Sequence, residues 1–280
     1  MKILVTGADG YLGKGIVKRL LDDGIEVVAT GFDTSNVDDR AHKISVNLFT
    51  VDDPYNYFGQ PDALLHLAWR DGFVHNSAAH LADLPKHYEF LKKMVDSNIK
   101  MISVMGSMHE IGFYEGSIDE NTACNPMNLY GISKNALRES LEVLINSSKS
   151  ITKMQWLRGY YIVGNSRNGA SIFAKIAEAN YEKKQTFPFT SGKNQYDFLD
   201  YDTFCNYVAK TVEQDKVDGI INICSGWPES LGSRVEKFIK DNDYSIKLEY
   251  GAFPDRPYDS KAVWGNNKKI LEIINATKRK

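Results

Sequence analysis

Tyr130 and Lys134 stand four residues apart in the run "YGISK". On an α-helix that spacing puts both side chains on one face, with Cβ atoms about 5–6 Å apart. A free phenol titrates near about 10 and exchanges protons poorly at neutral pH. A cation within about 4–6 Å stabilises the phenolate and lowers that barrier. The pair therefore points to proton exchange with a substrate oxygen, with Tyr130 carrying the proton and Lys134 the supporting charge. Alone, such a pair is more often a plain exposed helix face, so its meaning depends on what precedes it.

What precedes it is "TGADGYLGKG", residues 6–15, with Gly7, Gly10 and Gly13 three residues apart. The stretch follows the apolar run "KILVT" and leads into a helical pattern of Leu12, Ile16, Val17, Leu20 and Leu21 that stops at Gly24. In such a strand-to-helix turn the first glycine permits the bend and the second lets a pyrophosphate lie against bare backbone. The third lets helix and strand pack closely. The helix N-terminus adds unpaired N–H groups and a partial positive charge. The turn predicts dinucleotide binding, which gives Tyr130 a nicotinamide as its hydride partner.

The elements that must hold these residues alternate. Apolar runs predict strands at 2–6, 26–32, 62–69, 100–107, 154–164 and 219–224, with a weaker one at 43–48. Helical periodicity marks 80–96 and 129–146, the latter carrying Tyr130 and an apolar face of Leu137, Leu141, Leu144 and Ile145. The alternation predicts an α/β fold, a Rossmann-type doubly wound parallel sheet. Residues 1–164 form its dinucleotide-binding domain, which the strand near 219–224 rejoins. Residues 165–280 form mainly a smaller, discontinuous C-terminal substrate lobe: a helix at 170–184, an aromatic and proline-bearing stretch, and a polar end.

Composition excludes other classes. A net charge of −2 argues against a broad grip on nucleic acid or an anionic membrane, and the one basic cluster, Lys278 to Lys280, reads as a solvated tail. Cys124, Cys205 and Cys224 are odd in number and widely spaced, so neither a disulfide framework nor a metal site is expected. No apolar run approaches the roughly 18 residues of a membrane span, and reduced cysteines suit a cytoplasmic chain.

The Gly-x-x-Gly-x-x-Gly spacing and the "YGISK" helix resemble the extended short-chain dehydrogenase/reductase family, also called the NAD-dependent epimerase/dehydratase family. The resemblance spans nearly the whole chain and is closest through residue 164. It implies a third catalytic group beside Tyr130 and Lys134, a hydroxyl ending the preceding strand. Ser107 in "SVMGSMHEIG" fits, five residues before Gly112, while Ser103 falls inside the strand and faces the core. It also implies coenzyme contacts from Gly7, Gly10, Tyr11, Leu12 and Gly13, from Leu67 and Ala68 of "LLHLAW", and from Tyr130 and Lys134. His66 reads as structural, and Asn47 stands where the family often has an aspartate near the adenine.

Substrate contacts are implied for Ser107, Met108, Arg167, Asn168 and Arg256, the last in "FPDRPYDS", where an arginine clamps a sugar-nucleotide diphosphate. Departures from the family narrow the chemistry. Dehydratases carry Asp-Glu where Met108 and His109 stand, so elimination lacks its acid and base. Tyr196 replaces the arginine of the family's "RDF", and Tyr161 an asparagine. The acid that ends the second strand in NAD-binding relatives is here Gly31, followed by Phe32 and Asp33, with Lys14 the nearest cation. An absent carboxylate favours NADP(H), with NAD(H) the alternative.

The implied reaction is hydride transfer from NAD(P)H to the C4 ketone of a nucleoside-diphosphate 4-keto-6-deoxyhexose. The pattern is that of dTDP-4-dehydro-6-deoxyglucose reductases, which make activated fucose for surface polysaccharide. A nucleotide-sugar 4-epimerase and a non-catalytic NAD(P)-sensing protein are the rival readings. The family also implies a homodimer through a four-helix interface.

Overall fold

The computed structural model describes residues 1–164, 166, 167, 169, 171–256 and 259–277. In chain order the first half comprises β1 (Lys2–Thr6), α1 (Tyr11–Asp22), β2 (Glu26–Gly31), β3 (His42–Ser45), α2 (Pro54–Tyr57), β4 (Ala63–His66), α3 (Ala79–Asp96), β5 (Met101–Ser107), β6 (Gly116–Ile118) and α4 (Leu129–Ser147). There follow β7 (Lys153–Gly159), β8 (Tyr161–Val163), α5 (Ile172–Tyr181), β9 (Thr186–Pro188), β10 (Gln195–Asp200), α6 (Tyr201–Val212), β11 (Gly219–Ile223), β12 (Pro228–Ser230), α7 (Leu231–Asp241), β13 (Lys247–Glu249), β14 (Ala262–Gly265) and α8 (Lys268–Thr277).

Seven strands form one parallel sheet in the order β11-β7-β5-β4-β1-β2-β3. Its central strands are buried on both faces, which is why they read as unbroken apolar runs rather than as alternation. One face packs on Ile16, Val17 and Leu20 of α1 together with α6 and α8. The other packs on Leu91, Met94 and Val95 of α3 and on Leu137 and Leu141 of α4. This is the doubly wound Rossmann arrangement. Strand order reverses at β1, whose neighbours are β2 and β4, and ligands of such sheets lie beyond the carboxyl ends of the strands at that reversal.

The run 154–164, expected as one strand, is two. Tyr160 separates β7, which belongs to the large sheet, from β8, which pairs with β10 in a second sheet. That sheet has the order β12-β10-β14-β6, and β9 and β13 form a third of two strands. The buried Asp197 carboxylate fastens the lobe together, accepting from the Ser225 N–H at 2.7 Å, the Gly226 N–H at 2.9 Å and the Gly265 N–H at 3.2 Å. The basic tail 278–280 lies outside the described residues. Among the described residues, no helix is long and apolar enough to cross a membrane.

Candidate active site

The glycine turn opens at the strand-order reversal. Gly7 has φ +66, left-handed backbone that strains any other residue, and a Cβ there would lie 2.7 Å from the Ala68 nitrogen. A Cβ on Gly13 would lie 2.2 Å from the Gly7 carbonyl, so both glycines are needed for the ends of β1 and β4 and the start of α1 to meet. Gly10 is the N-cap of α1 and supplies no side-chain cap, which leaves the first-turn N–H groups of the helix without a side-chain acceptor. Leu67 and Ala68 form the facing wall, their N–H groups donating to the Thr6 carbonyl at 3.1 Å and the Thr6 hydroxyl at 3.3 Å. This bare-backbone cradle fits a dinucleotide pyrophosphate.

Tyr11 begins α1 with its ring 4.6 Å from that of Tyr201, whose hydroxyl donates to the Tyr11 carbonyl at 2.5 Å. Leu12 is half-buried against the core. His66 is buried and structural, bonded through Nδ1 to the Thr6 hydroxyl at 2.8 Å and through Nε2 to His87 at 2.9 Å. Asn47 caps the turn at Leu48–Thr50 by accepting from the Phe49 N–H.

Beside the cradle, β5 ends at Ser107 and α4 begins one residue before Tyr130. Asn128 caps α4 by accepting from the Gly131 N–H at 2.8 Å. A Cβ on Gly131 would lie 2.3 Å from the His109 carbonyl, so only glycine lets the helix press against the turn that carries Ser107. The Ser107 hydroxyl accepts the His109 N–H at 3.2 Å and lies beside the Tyr130 phenol, near enough to oppose part of the rise in its pKa. Ser103 points into the core and donates to Gln155 at 2.7 Å.

Lys134 is held from below as well as set beside Tyr130. It is buried, its ammonium donates to the Met105 carbonyl at 2.7 Å, and it sits 3.8 Å over the Trp69 ring but 5.9 Å from the centre of the Tyr130 ring. Burial lowers its pKa to about 7. Burial likewise pushes the Tyr130 phenol up to about 12, the Glu110 carboxylate adding to the rise and the neighbouring Ser107 hydroxyl opposing it. Desolvation therefore governs the phenol in this arrangement, while the Lys134 ammonium is engaged by the Met105 carbonyl.

Two sets of residues that the motifs did not single out complete the site. Trp69, His75, His80 and His109 surround the Tyr130 ring, His75 stacking on it at 5.6 Å and accepting the Tyr130 backbone N–H at 2.8 Å through its carbonyl. Beneath Ser107, the fully buried Glu110 accepts the Ser107 N–H at 2.6 Å and the Trp156 indole N–H at 2.9 and 3.0 Å, and is paired with Arg158 at 3.4 Å. Gly106 makes room for this group, since a Cβ there would lie 2.2 Å from the indole nitrogen. "SMHE" carries the signal that could have found it, a capping box with serine at the N-cap and glutamate three residues later.

A further correction concerns the premise of the coenzyme expectation, the absent carboxylate. The end of β2 does not lack a carboxylate: that of Asp9, from the glycine turn, lies over Gly31, and its Oδ2 accepts the Asp33 N–H at 3.1 Å.

In the lobe, Arg256 lines a groove of about 800 Å³ with Lys175, Phe187, Asn194, Tyr196 and Asp259. The Arg167 guanidinium stacks 3.8 Å over the Tyr181 ring. Met108, expected to touch substrate, is instead buried with Ile111, Tyr160 and Val263 in an apolar cluster. Asn168 lies outside the described residues.

Residues 3–224 match the NAD dependent epimerase/dehydratase family, and the chain belongs to it. It is 42% identical over 270 residues, 95% of this chain and 99% of the other, to the dTDP-6-deoxy-L-talose 4-dehydrogenase (NAD(+)) of Aggregatibacter actinomycetemcomitans. It is 22% identical, over 98% of this chain and 91% of the other, to the GDP-6-deoxy-D-talose 4-dehydrogenase of the same organism. The fold is shared with the UDP-glucuronic acid 4-epimerase of Bacillus cereus, solved with UDP-glucuronic acid and NAD, at a TM-score of 0.78 and 21% identity over 98% of this chain and 93% of that one. The two relatives named are 4-dehydrogenases, not the dTDP-4-dehydro-6-deoxyglucose reductases of the narrower expectation.

Proposed function

We propose that this member of the NAD-dependent epimerase/dehydratase family is an NAD(H)-dependent oxidoreductase that interconverts the C4 hydroxyl and C4 ketone of a dTDP-6-deoxyhexose. The observation that carries the reading is the convergence of Ser107, Tyr130 and Lys134 beside the glycine-lined cradle. Similarity to two 6-deoxytalose-nucleotide 4-dehydrogenases supports the position of the chemistry on the sugar, and the closer of the two supports the dTDP carrier and NAD.

Bound NAD(H) supplies the hydride exchange, and the side chains manage the oxygen and its proton. Gly7, Gly10 and Gly13, with Leu67 and Ala68, hold the coenzyme's phosphates against backbone. Ser107 donates a hydrogen bond to the C4 oxygen. Tyr130 gives that oxygen its phenolic proton as the ketone is reduced, and takes it back when the alcohol is oxidised. At neutral pH the phenol carries its proton, as donation to the ketone requires. Lys134, lowered to about 7, exchanges its proton in the same range and fixes the Tyr130 side of the cradle through Met105. Arg256 binds the diphosphate in the lobe groove, and α4, which carries Tyr130, contributes to a homodimer interface.

The test is the purified protein with a panel of dTDP-4-keto-6-deoxyhexoses and NADH, and with dTDP-6-deoxytalose and NAD. Coenzyme turnover matched to a product changed at C4 is the expected result. Interconversion of two sugar nucleotides without net coenzyme change would establish an epimerase instead. Coenzyme binding with no turnover on any sugar would establish a sensing protein.

A further inference from the structure

The turn after β1 and the end of β2 are neighbours. β1 pairs with β2 in parallel register from Lys2↔Glu26 to Thr6↔Thr30, and the Ala8 N–H continues the ladder by donating to the Thr30 carbonyl at 3.0 Å. A residue of the glycine turn can therefore reach the point where β2 stops. Asp9 does so. A Cβ built on Gly31 would meet Asp9 Oδ1 at 2.2 Å, Cγ at 2.3 Å and Oδ2 at 2.7 Å, so the Asp9 carboxylate fills the space a side chain at position 31 would enter. Asp33 stands behind it, its N–H held by Asp9 Oδ2 at 3.1 Å.

In dinucleotide-binding sheets this is where an acid takes the adenosine ribose hydroxyls and repels a 2′-phosphate. We propose that Asp9, delivered by the glycine turn in place of a side chain at Gly31 and backed by Asp33, is the residue that makes this chain choose NAD(H) over NADP(H).

The charges nearby point the same way. Asp33 is held ionised, chiefly by the hydrogen bond from Ser35, with Lys14 adding a little. A 2′-phosphate is welcomed by a forked arginine, but Arg40 is engaged by Asp38 at 3.0 and 2.7 Å and by Asp22 at 2.8 Å. Lys14 is a single exposed ammonium set against two carboxylates. Net charge at the site therefore opposes a phosphate dianion. Glycine at 31 is then a requirement of the arrangement, since any larger residue would displace the carboxylate that selects the coenzyme.

The inference rests on the coenzyme reading above and on nothing about the sugar. It is tested by fluorescence titration of the full chain with NADH and with NADPH, no sugar nucleotide present. The expected result is a Kd for NADH at least about tenfold below that for NADPH. In Asp9→Asn, which keeps an acceptor for the Asp33 N–H but removes the charge, that ratio falls by about tenfold through tighter NADPH binding. Asp33→Asn produces a smaller shift in the same direction. Equal affinities in the wild type, or an unchanged ratio in Asp9→Asn, overturns the assignment. Binding of neither coenzyme overturns the coenzyme reading with it, whereas failure of every sugar assay leaves this measurement standing.

Discussion

The backbone N–H of Ser107 donates to the carboxylate of Glu110 at 2.6 Å, and Glu110 is wholly removed from water. The hydroxyl that faces the Tyr130 phenol is thus carried on a turn whose other end is a buried anion, paired with Arg158.

Glu110→Gln keeps the acceptor but strands the Arg158 guanidinium. Breaking a buried pair in this way costs about 3–5 kcal/mol, so a large drop in the urea midpoint of unfolding is expected. The lost charge also ceases to raise the pKa of Tyr130 and of Lys134. Both limbs of the pH–rate profile move to lower pH, and a profile that stays in place would refute the electrostatic part.

Tyr130→Phe removes the only proton the phenol can give. Turnover in the assay above should fall by about 10²–10⁴-fold, while the Kd for NADH changes little. Retained turnover would remove Tyr130 from the chemistry.

Acid should destabilise the fold through the buried imidazoles. Burial holds His87 down at about 3, and His66, bonded to it at 2.9 Å, also lies well below its ordinary value. Both are neutral in the folded chain, whereas the unfolded chain takes up protons from about pH 6.5 downward. Stability is therefore complete above that pH and declines between about 6.5 and 3, by up to about 1.4 kcal/mol per pH unit for each histidine. Urea midpoints measured across this window should show the slope, and His87→Gln should flatten it.

Arg256→Ala should raise KM for the sugar nucleotide by about 10–100-fold, the worth of a charge-assisted hydrogen bond to phosphate. Affinity for NADH should be untouched, because the lobe groove shares no lining residue with the glycine cradle. A parallel loss of both affinities would mean that Arg256 supports the fold instead.

Much of this was legible in the chain. The glycine turn, Tyr130 and Lys134 show themselves through spacing, because each sits at a strand end or on one helix whose pattern is local, whereas Ser107 came from the family resemblance. What was not legible depends on partners far away in sequence. Asp9 reaches Gly31 only because β1 and β2 lie side by side, so an apparent missing acid became a relocated one. Glu110 meets Trp156 and Arg158 across 46 and 48 residues. Spacing brought Lys134 beside Tyr130, but the hold of the Met105 carbonyl on its ammonium was not legible in it. The lobe strands run from three to six residues and take their identity from pairing, so "YDFLDY" and "AVWG" showed little periodicity to read.

Tyr160 alone separates the strand that ends beside Ser107 from the strand that enters the lobe. From the other side, the Asp197 carboxylate of β10 ties the lobe to the Ser225 and Gly226 N–H groups that follow β11 of the large sheet. The lobe therefore meets the large sheet over a span of one residue on one side and a shared carboxylate on the other, so that loss of the single side chain at Asp197 would free the loop that follows β11 from β10.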